Sequence, residues 1–219
     1  MENIFIDTSV FMANNYFQSA AIKQILEWGR CGYLNILMPE IIYMELRKNG
    51  IEEIRKAMSL RNKLAILKNI PSIKMELGLF DRKTHEDEFL STLDGALTKA
   101  KYTHIKYPAI NPSEVFSNYF SNKPPFHTED KKNEFPDAFS IAIVEDWCEK
   151  NNTKCLVFTN DKGVQAYQSK YIEHGNIGTY LDTKLRELEA RHLKKAQELY
   201  AEKENELTEE VKQWVRDYL

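Results

Sequence analysis

The sequence predicts an α/β fold in which a parallel sheet carries helices on its faces. Three observations lead there. Short apolar runs alternate with helical patterns from residue 3 to residue 48 in the order strand, helix, strand, helix. The run Leu34–Met38 is apolar but for Asn35, as a strand covered on both faces is. Two strand candidates also end at or just before an acid, Asp7 and Asp161, and the carboxyl ends of parallel strands are where such sheets bind ligands.

The elements follow in order. Asn3–Ile6 is the first strand, closed by Asp7, with Thr8 and Ser9 able to cap a helix. A helix is expected from about Asn15 to Arg30 on Phe17, Ala20, Ala21, Ile25 and Leu26, punctuated by Gly29 and Gly32. Pro39 opens a helix expected to run to Lys48, where Asn49-Gly50 reads as a stop. Residues 51 to about 104 read as a helical elaboration broken at Pro71. Asn111-Pro112-Ser113-Glu114 starts a short aromatic helix, and Ser121–Asn133 is loop-like. The helix Pro136–Lys150, the strand Lys154–Phe158, a short helix Gly163–Lys170 and a weak strand or loop Tyr171–Tyr180 complete the α/β part. From Leu181 to Leu219 the chain reads as a long helix or helix pair. Its apolar stripe is Leu185, Leu188, His192, Leu199, Leu207, Val211 and Val215, with eight basic and nine acidic residues from 184 to 219. The tail carries no stop signal, which suggests a fragment of a longer protein. Its stripe suits packing on its own domain, on a second copy or on further residues.

Composition narrows the classes. The chain has 219 residues and a net charge of −3, which excludes a protein basic all over but leaves room for a local basic face. Cys31, Cys148 and Cys155 are odd in number and widely spaced, which argues against a disulfide scaffold or a cysteine zinc site and for a reducing cytoplasm. No apolar run approaches the roughly 18 residues of a membrane span. The stretch Met1–Asp7 has no basic segment or cleavage site of a signal peptide.

The informative residues are four acids. Asp7 and Asp161 sit at strand ends. Glu45 lies on the inward stripe of its helix beside Ile41 and Ile42, and Asp137 falls in a first helical turn, four before Ile141 and seven before Val144. Each alone has a local explanation: a cap for Asp7, a turn for Asp161, the helix dipole for Asp137 and an ion pair for Glu45. If all four converge, like charges about 4 Å apart repel by roughly 4 kcal/mol per pair at an effective dielectric near 20. A hard divalent cation removes that conflict, and oxygen-only ligands select Mg²⁺ or Mn²⁺ over zinc. That is the chemistry of metal-assisted phosphodiester hydrolysis.

The segments Ile4-Phe5-Ile6-Asp7-Thr8-Ser9, Met38-Pro39-Glu40-Ile41-Ile42-Tyr43-Met44-Glu45-Leu46, Pro136-Asp137-Ala138 and Val157-Phe158-Thr159-Asn160-Asp161 resemble the ordered motifs of PIN-domain nucleases. The likeness is strongest to larger bacterial PIN-like proteins with a helical insertion. It covers about residues 1–182, with the insertion at about 51–130 and a helical extension at 183–219. The resemblance implies a three-layer α/β/α sandwich with a central parallel sheet. It implies a Mg²⁺ or Mn²⁺ site of Asp7, Glu45, Asp137 and Asp161, supported by Thr159 and Asn160. It also implies RNA as the substrate, with single-stranded DNA as a second option, cut to leave 5′-phosphate and 3′-hydroxyl ends. Small toxin-type members lack both the insertion and the tail, so toxin activity does not carry over.

Substrate phosphates need nearby cations. Residues 46–74 hold eight basic and two acidic residues, a net +6, including Arg47 and Lys48. Lys123 and Lys132 precede Asp137 within an aromatic stretch, Tyr102–Phe135, which suits base stacking or a small core under the insertion. His127 reads as an exposed loop histidine, and Glu134 as a candidate fifth acid. Three alternatives stand beside the ribonuclease. The first is a flap-type DNA nuclease with the same acidic core. The second is an interaction module with a vestigial site, binding a regulatory protein or a second copy through the C-terminal helices. The third is a haloacid-dehalogenase-type phosphatase, which wants an Asp where this chain has Ser9.

Overall fold

The computed structural model describes residues 1–69, 81–107, 110–126 and 134–218. Five parallel strands form one sheet: β1 (Glu2–Ile6), β2 (Leu34–Pro39), β3 (Thr103–Ile105), β4 (Cys155–Phe158) and β5 (Ile172–Gly175), in spatial order β3-β2-β1-β4-β5. Helices cover both faces, so the sandwich expected from the sequence is the observed fold. Every residue of β2 is buried, which is why its run shows no polar alternation and its one polar side chain, Asn35, is hydrogen-bonded. The chain leaves β1 in one direction for β2 and β3, then returns to the other side of β1 for β4. The strand order therefore reverses between β1 and β4, and their carboxyl ends flank a crevice.

Register is pinned by a polar ladder at the opposite end of the sheet. Asn35 Nδ2 donates to Asn3 Oδ1 at 3.0 Å, and Thr103 Oγ1 donates to Asn35 Oδ1 at 2.6 Å. Asn3 Nδ2 in turn donates to Thr153 Oγ1 at 2.9 Å and to the Lys154 carbonyl at 3.1 Å. Asn3 and Asn35 are buried. A one-residue slip of β1, β2 or β3 would leave these amides without partners in a low-dielectric interior.

The helices are α1 (Thr8–Ala13), α2 (Ala20–Arg30), α3 (Glu40–Ala65), α4 (Arg82–Ala100), α5 (Pro112–Phe120), α6 (Phe135–Lys150), α7 (Lys162–Gln165) and α8 (Ile177–Tyr218), with a 3₁₀ turn at Ile66–Asn69. Several bounds differ from expectation, α7 ending at Gln165 rather than Lys170 and α8 starting at Ile177 rather than Leu181 among them. The helix expected from Asn15 begins at Ala20, where Ser19 Oγ accepts the Ile22 N–H at 3.2 Å, and a separate α1 is capped by Asp7. The short strand β3 falls inside the stretch expected to be helical. The helix expected to stop at Asn49-Gly50 runs on to Ala65. Here Gly50 serves packing rather than termination: a Cβ on it would lie 2.0 Å from the Phe89 ring of α4. Asn49 Nδ2 approaches Met12 Sδ of α1 at 3.4 Å. The predicted break at Pro71 lies outside the described residues.

The chain divides into two compact units, Met1–Gly175 and Asn176–Leu219. Among the described residues no helix is long and apolar enough to cross a membrane.

Gly50→Ala sets two effects against each other. Ala gains about 1 kcal/mol of helix propensity, while forcing a methyl into the Phe89 ring costs about 1–3 kcal/mol by overpacking. At 2.0 Å the steric cost wins, so the variant melts lower, by roughly 2–4 °C for each kcal/mol lost. The double variant Gly50→Ala/Phe89→Leu recovers part of that loss; thermal melts of the three proteins check both outcomes.

Candidate active site

Asp7 is the residue immediately after β1, and its backbone N–H continues the ladder to the Phe158 carbonyl at 2.9 Å. It is 4% exposed. Its Oδ2 accepts from the Ser9 hydroxyl, from the Ser9 N–H at 3.4 Å and from Thr159 Oγ1 at 3.0 Å. Asp7 therefore caps α1, as its local sequence suggests, and at the same time presents a carboxylate at the crevice. Thr159 Oγ1 also accepts the Asp161 N–H at 3.0 Å, so one buried hydroxyl ties the end of β1 to the turn after β4. Asn160 secures the same joint, its N–H donating to Ser9 Oγ at 3.1 Å and its Nδ2 to the Ser9 carbonyl at 3.3 Å. Gln165 Nε2 holds the Thr159 carbonyl at 2.9 Å.

Asp161 caps α7 through Oδ1, which accepts the Val164 N–H at 2.9 Å. Glu45, on α3, takes a hydrogen bond from Thr8 Oγ1 at 3.0 Å. Burial pushes the Glu45 carboxyl up from its ordinary pKa; the Thr8 bond counters this, the Asp7 charge adds to it, and the Lys48 cation draws it back. Asp137 lies in the first turn of α6. Its pKa is pushed up to about 8, first by burial and then by the negative charges of Asp7, Glu45, Asp161 and Glu134. Asp7, Glu45 and Asp161 thus each bear on the Asp137 charge, and Asp7 bears on that of Glu45.

Glu134 is the fifth. It is 8% exposed, and carboxylate oxygens of Glu134, Asp137 and Asp161 all lie within 4.8 Å of one another. Gly163 makes room for it: a Cβ there would meet Asp161 Oδ1 at 2.9 Å and Glu134 Oε2 at 3.2 Å. The sequence signal was its position three before Asp137, one helical turn away once Phe135 and Pro136 open α6. Thr8 and Ser9, read from the sequence only as helix-capping residues, hold Glu45 and Asp7. Five carboxylates with only oxygen donors suit a hard divalent cation and do not suit a soft metal.

The basic and aromatic expectations divide. Arg47 is committed to Asp94 at 3.4 Å and to the Tyr43 hydroxyl at 2.8 Å. Lys48 is exposed beside Glu52 at 3.8 Å. Within the +6 stretch, Arg55 pairs with Glu86 and Lys56 with Glu53, so part of that charge is neutralised locally. Lys123 is exposed on a groove with Asn118, Pro124 and Tyr167. Lys132 and His127 lie outside the described residues. Phe126, with Val115 and Ala138, forms a small core on which Tyr119, Phe135 and Phe139 pack, whereas Tyr107 and Phe120 stay exposed.

A parallel α/β domain with an acidic crevice at the reversal of strand order defines the class, a PIN-like nuclease fold. A sequence model of the PIN domain matches residues 4–163, and the chain belongs to the PIN domain family, whose members are generally nucleases. No curated protein and no solved structure matches the chain significantly.

Asp137 gives the metal-free protein a pH signature. Its folded pKa of about 8 stands above the ordinary 3.8, so between those values the folded chain keeps a proton that the unfolded chain has lost. Stability therefore falls as pH rises through that window. Asp137→Asn should flatten the fall, melting above wild type at pH 8 and close to it near pH 4. Melting curves in chelator across that range check the sign.

Proposed function

We propose that this chain is a divalent-metal-dependent endonuclease that hydrolyses RNA phosphodiester bonds. The observation that carries the reading is the close approach of Glu134, Asp137 and Asp161, whose carboxylate oxygens lie within 4.8 Å of one another, where burial and the surrounding negative charges also raise the Asp137 pKa. A cation held there would offset the mutual repulsion of the acids, and Asp137 would hold it as the carboxylate.

Asp7, Asp137 and Asp161, with Glu45 directly or through water, hold Mg²⁺ or Mn²⁺ in this account, and Glu134 extends the acidic set. Such a cation would supply the charge that lowers the pKa of water and offsets the negative charge of the phosphate. Thr159, Ser9 and Thr8 fix the rotamers of Asp7 and Glu45, so the ligands need little rearrangement. Asn160 locks the two strand ends together. Lys48 and Lys123 are the proposed phosphate contacts among the described residues, Arg47 being engaged by Asp94, and Lys132 completes the proposal. The nuclease part is proposed as residues 1–182 with its insertion at about 51–130, the tail being residues 183–219, in the cytoplasm.

The test is cleavage of labelled single-stranded RNA and DNA with Mg²⁺, Mn²⁺ or chelator. Cutting of RNA in either metal but not in chelator is expected. Asp7→Asn and Asp137→Asn each remove several kcal/mol of transition-state stabilisation, about 10²-fold or more in rate. Thr159→Val leaves the carboxylates present but unsupported, and a loss of about 10- to 100-fold is expected. Cutting of DNA alone moves the substrate to DNA; cutting that survives Asp137→Asn overturns the reading.

A further inference from the structure

We infer that α8 pairs with α8 of a second copy of this chain, antiparallel, making the protein a dimer through its C-terminal helix. The helix runs 42 residues from Ile177 to Tyr218. Leu181 and Leu188 near its start are buried, whereas Leu199, Tyr200, Leu207, Val211 and Trp214 lie 52–73% exposed. At about 100° per residue, Leu185 and these five fall within an arc of about 120°, a single stripe. Leu185, Ala196 and Leu207 recur at an eleven-residue spacing, a period that keeps a seam on one side of the helix from Leu185 to Leu207. An exposed apolar stripe of this extent marks an interaction surface, and the stability of such a helix comes mostly from packing of its apolar face.

Charge identifies the occupant. Residues 184–195 carry five basic and two acidic side chains, a net +3, and residues 198–210 carry one basic and six acidic, a net −5. A parallel second copy would set like charge against like over both segments. An antiparallel copy with its two-fold axis near Leu199-Tyr200 lays residues 184–195 along the partner's residues 204–215, which carry four acidic and one basic side chain, a net −3. The same register sets His192 across from Leu207. The chain carries both halves of the complement, so a second copy satisfies the whole pattern. The intrahelical pairs Lys184–Glu187, Lys194–Glu198 and Lys203–Glu206 show both signs already displayed along the helix surface.

The experiment uses the full chain. Light scattering at micromolar concentration should give twice the 25.7 kDa chain mass. Leu199→Glu/Leu207→Glu should give monomer while the thermal melt of the sheet domain stays put. Lys194→Glu/Lys195→Glu should weaken association by about tenfold or more. Adding Glu204→Lys/Glu206→Lys to that variant should restore it, because the reversed pattern is again self-complementary. Spin labels at Gln213 separate the orientations: about 40 Å apart if antiparallel, from 27 residues of axial offset, and about 10 Å if parallel. A monomeric wild type, a dimer indifferent to the charge reversals, or a short Gln213 distance overturns the inference.

Discussion

The molecule is organised around a repulsion. The sheet brings the ends of β1 and β4 side by side, and each end delivers a carboxylate, Asp7 and Asp161. The helices α3 and α6 add Glu45 and Asp137, and Glu134 joins from the start of α6. At an effective dielectric near 20, each close pair costs roughly 4 kcal/mol at about 4 Å. The surrounding structure over-determines the arrangement. Backbone N–H groups hold Asp7 and Asp161, hydroxyls hold Asp7 and Glu45, and a polar ladder at the far end of the sheet keeps the strands in register. Asp137 takes up what strain remains by holding a proton.

Ser9 and Thr159 do two jobs at once: each hydroxyl donates to Asp7 and accepts a backbone N–H from the turn after β4, Ser9 from Asn160 and Thr159 from Asp161. The local reading of Asp7 as a helix cap and the functional reading of Asp7 as a cation ligand are therefore compatible. The cap uses the Ser9 N–H on Oδ2, and capping orients the same carboxylate toward the crevice. Lys48 illustrates the balance from the other side, an exposed cation one turn along α3 that draws the Glu45 pKa down without quenching the cluster.

Much of this was legible in the sequence, for a physical reason. A parallel strand buried on both faces must be apolar, so an acid at its end stands out, and Asp7 and Asp161 were readable on that ground. Glu45 and Asp137 were readable because a carboxylate on an apolar helical stripe is costly without a partner. What was illegible depends on contacts between distant segments. Asn49-Gly50 carries the local chemistry of a helix end, yet Phe89 of α4 and Met12 of α1 use those two positions for close approach. Arg47 read as a free cation, and Asp94, 47 residues on, claims it. The aromatic stretch before α6 suited base stacking equally well until packing placed Phe126 in a core and left Phe120 outside it. Glu134 needed the path of the chain around Pro136 before its direction was known.

The most direct measurement is anomalous scattering at the manganese edge from crystals soaked in Mn²⁺. The account predicts a peak at about 2.1 Å from carboxylate oxygens of the Asp7, Asp137 and Asp161 cluster, the distance of a hard octahedral cation. A map that is featureless at that cluster, from crystals in which the same acids converge, would contradict it and leave protonation alone to hold these side chains together.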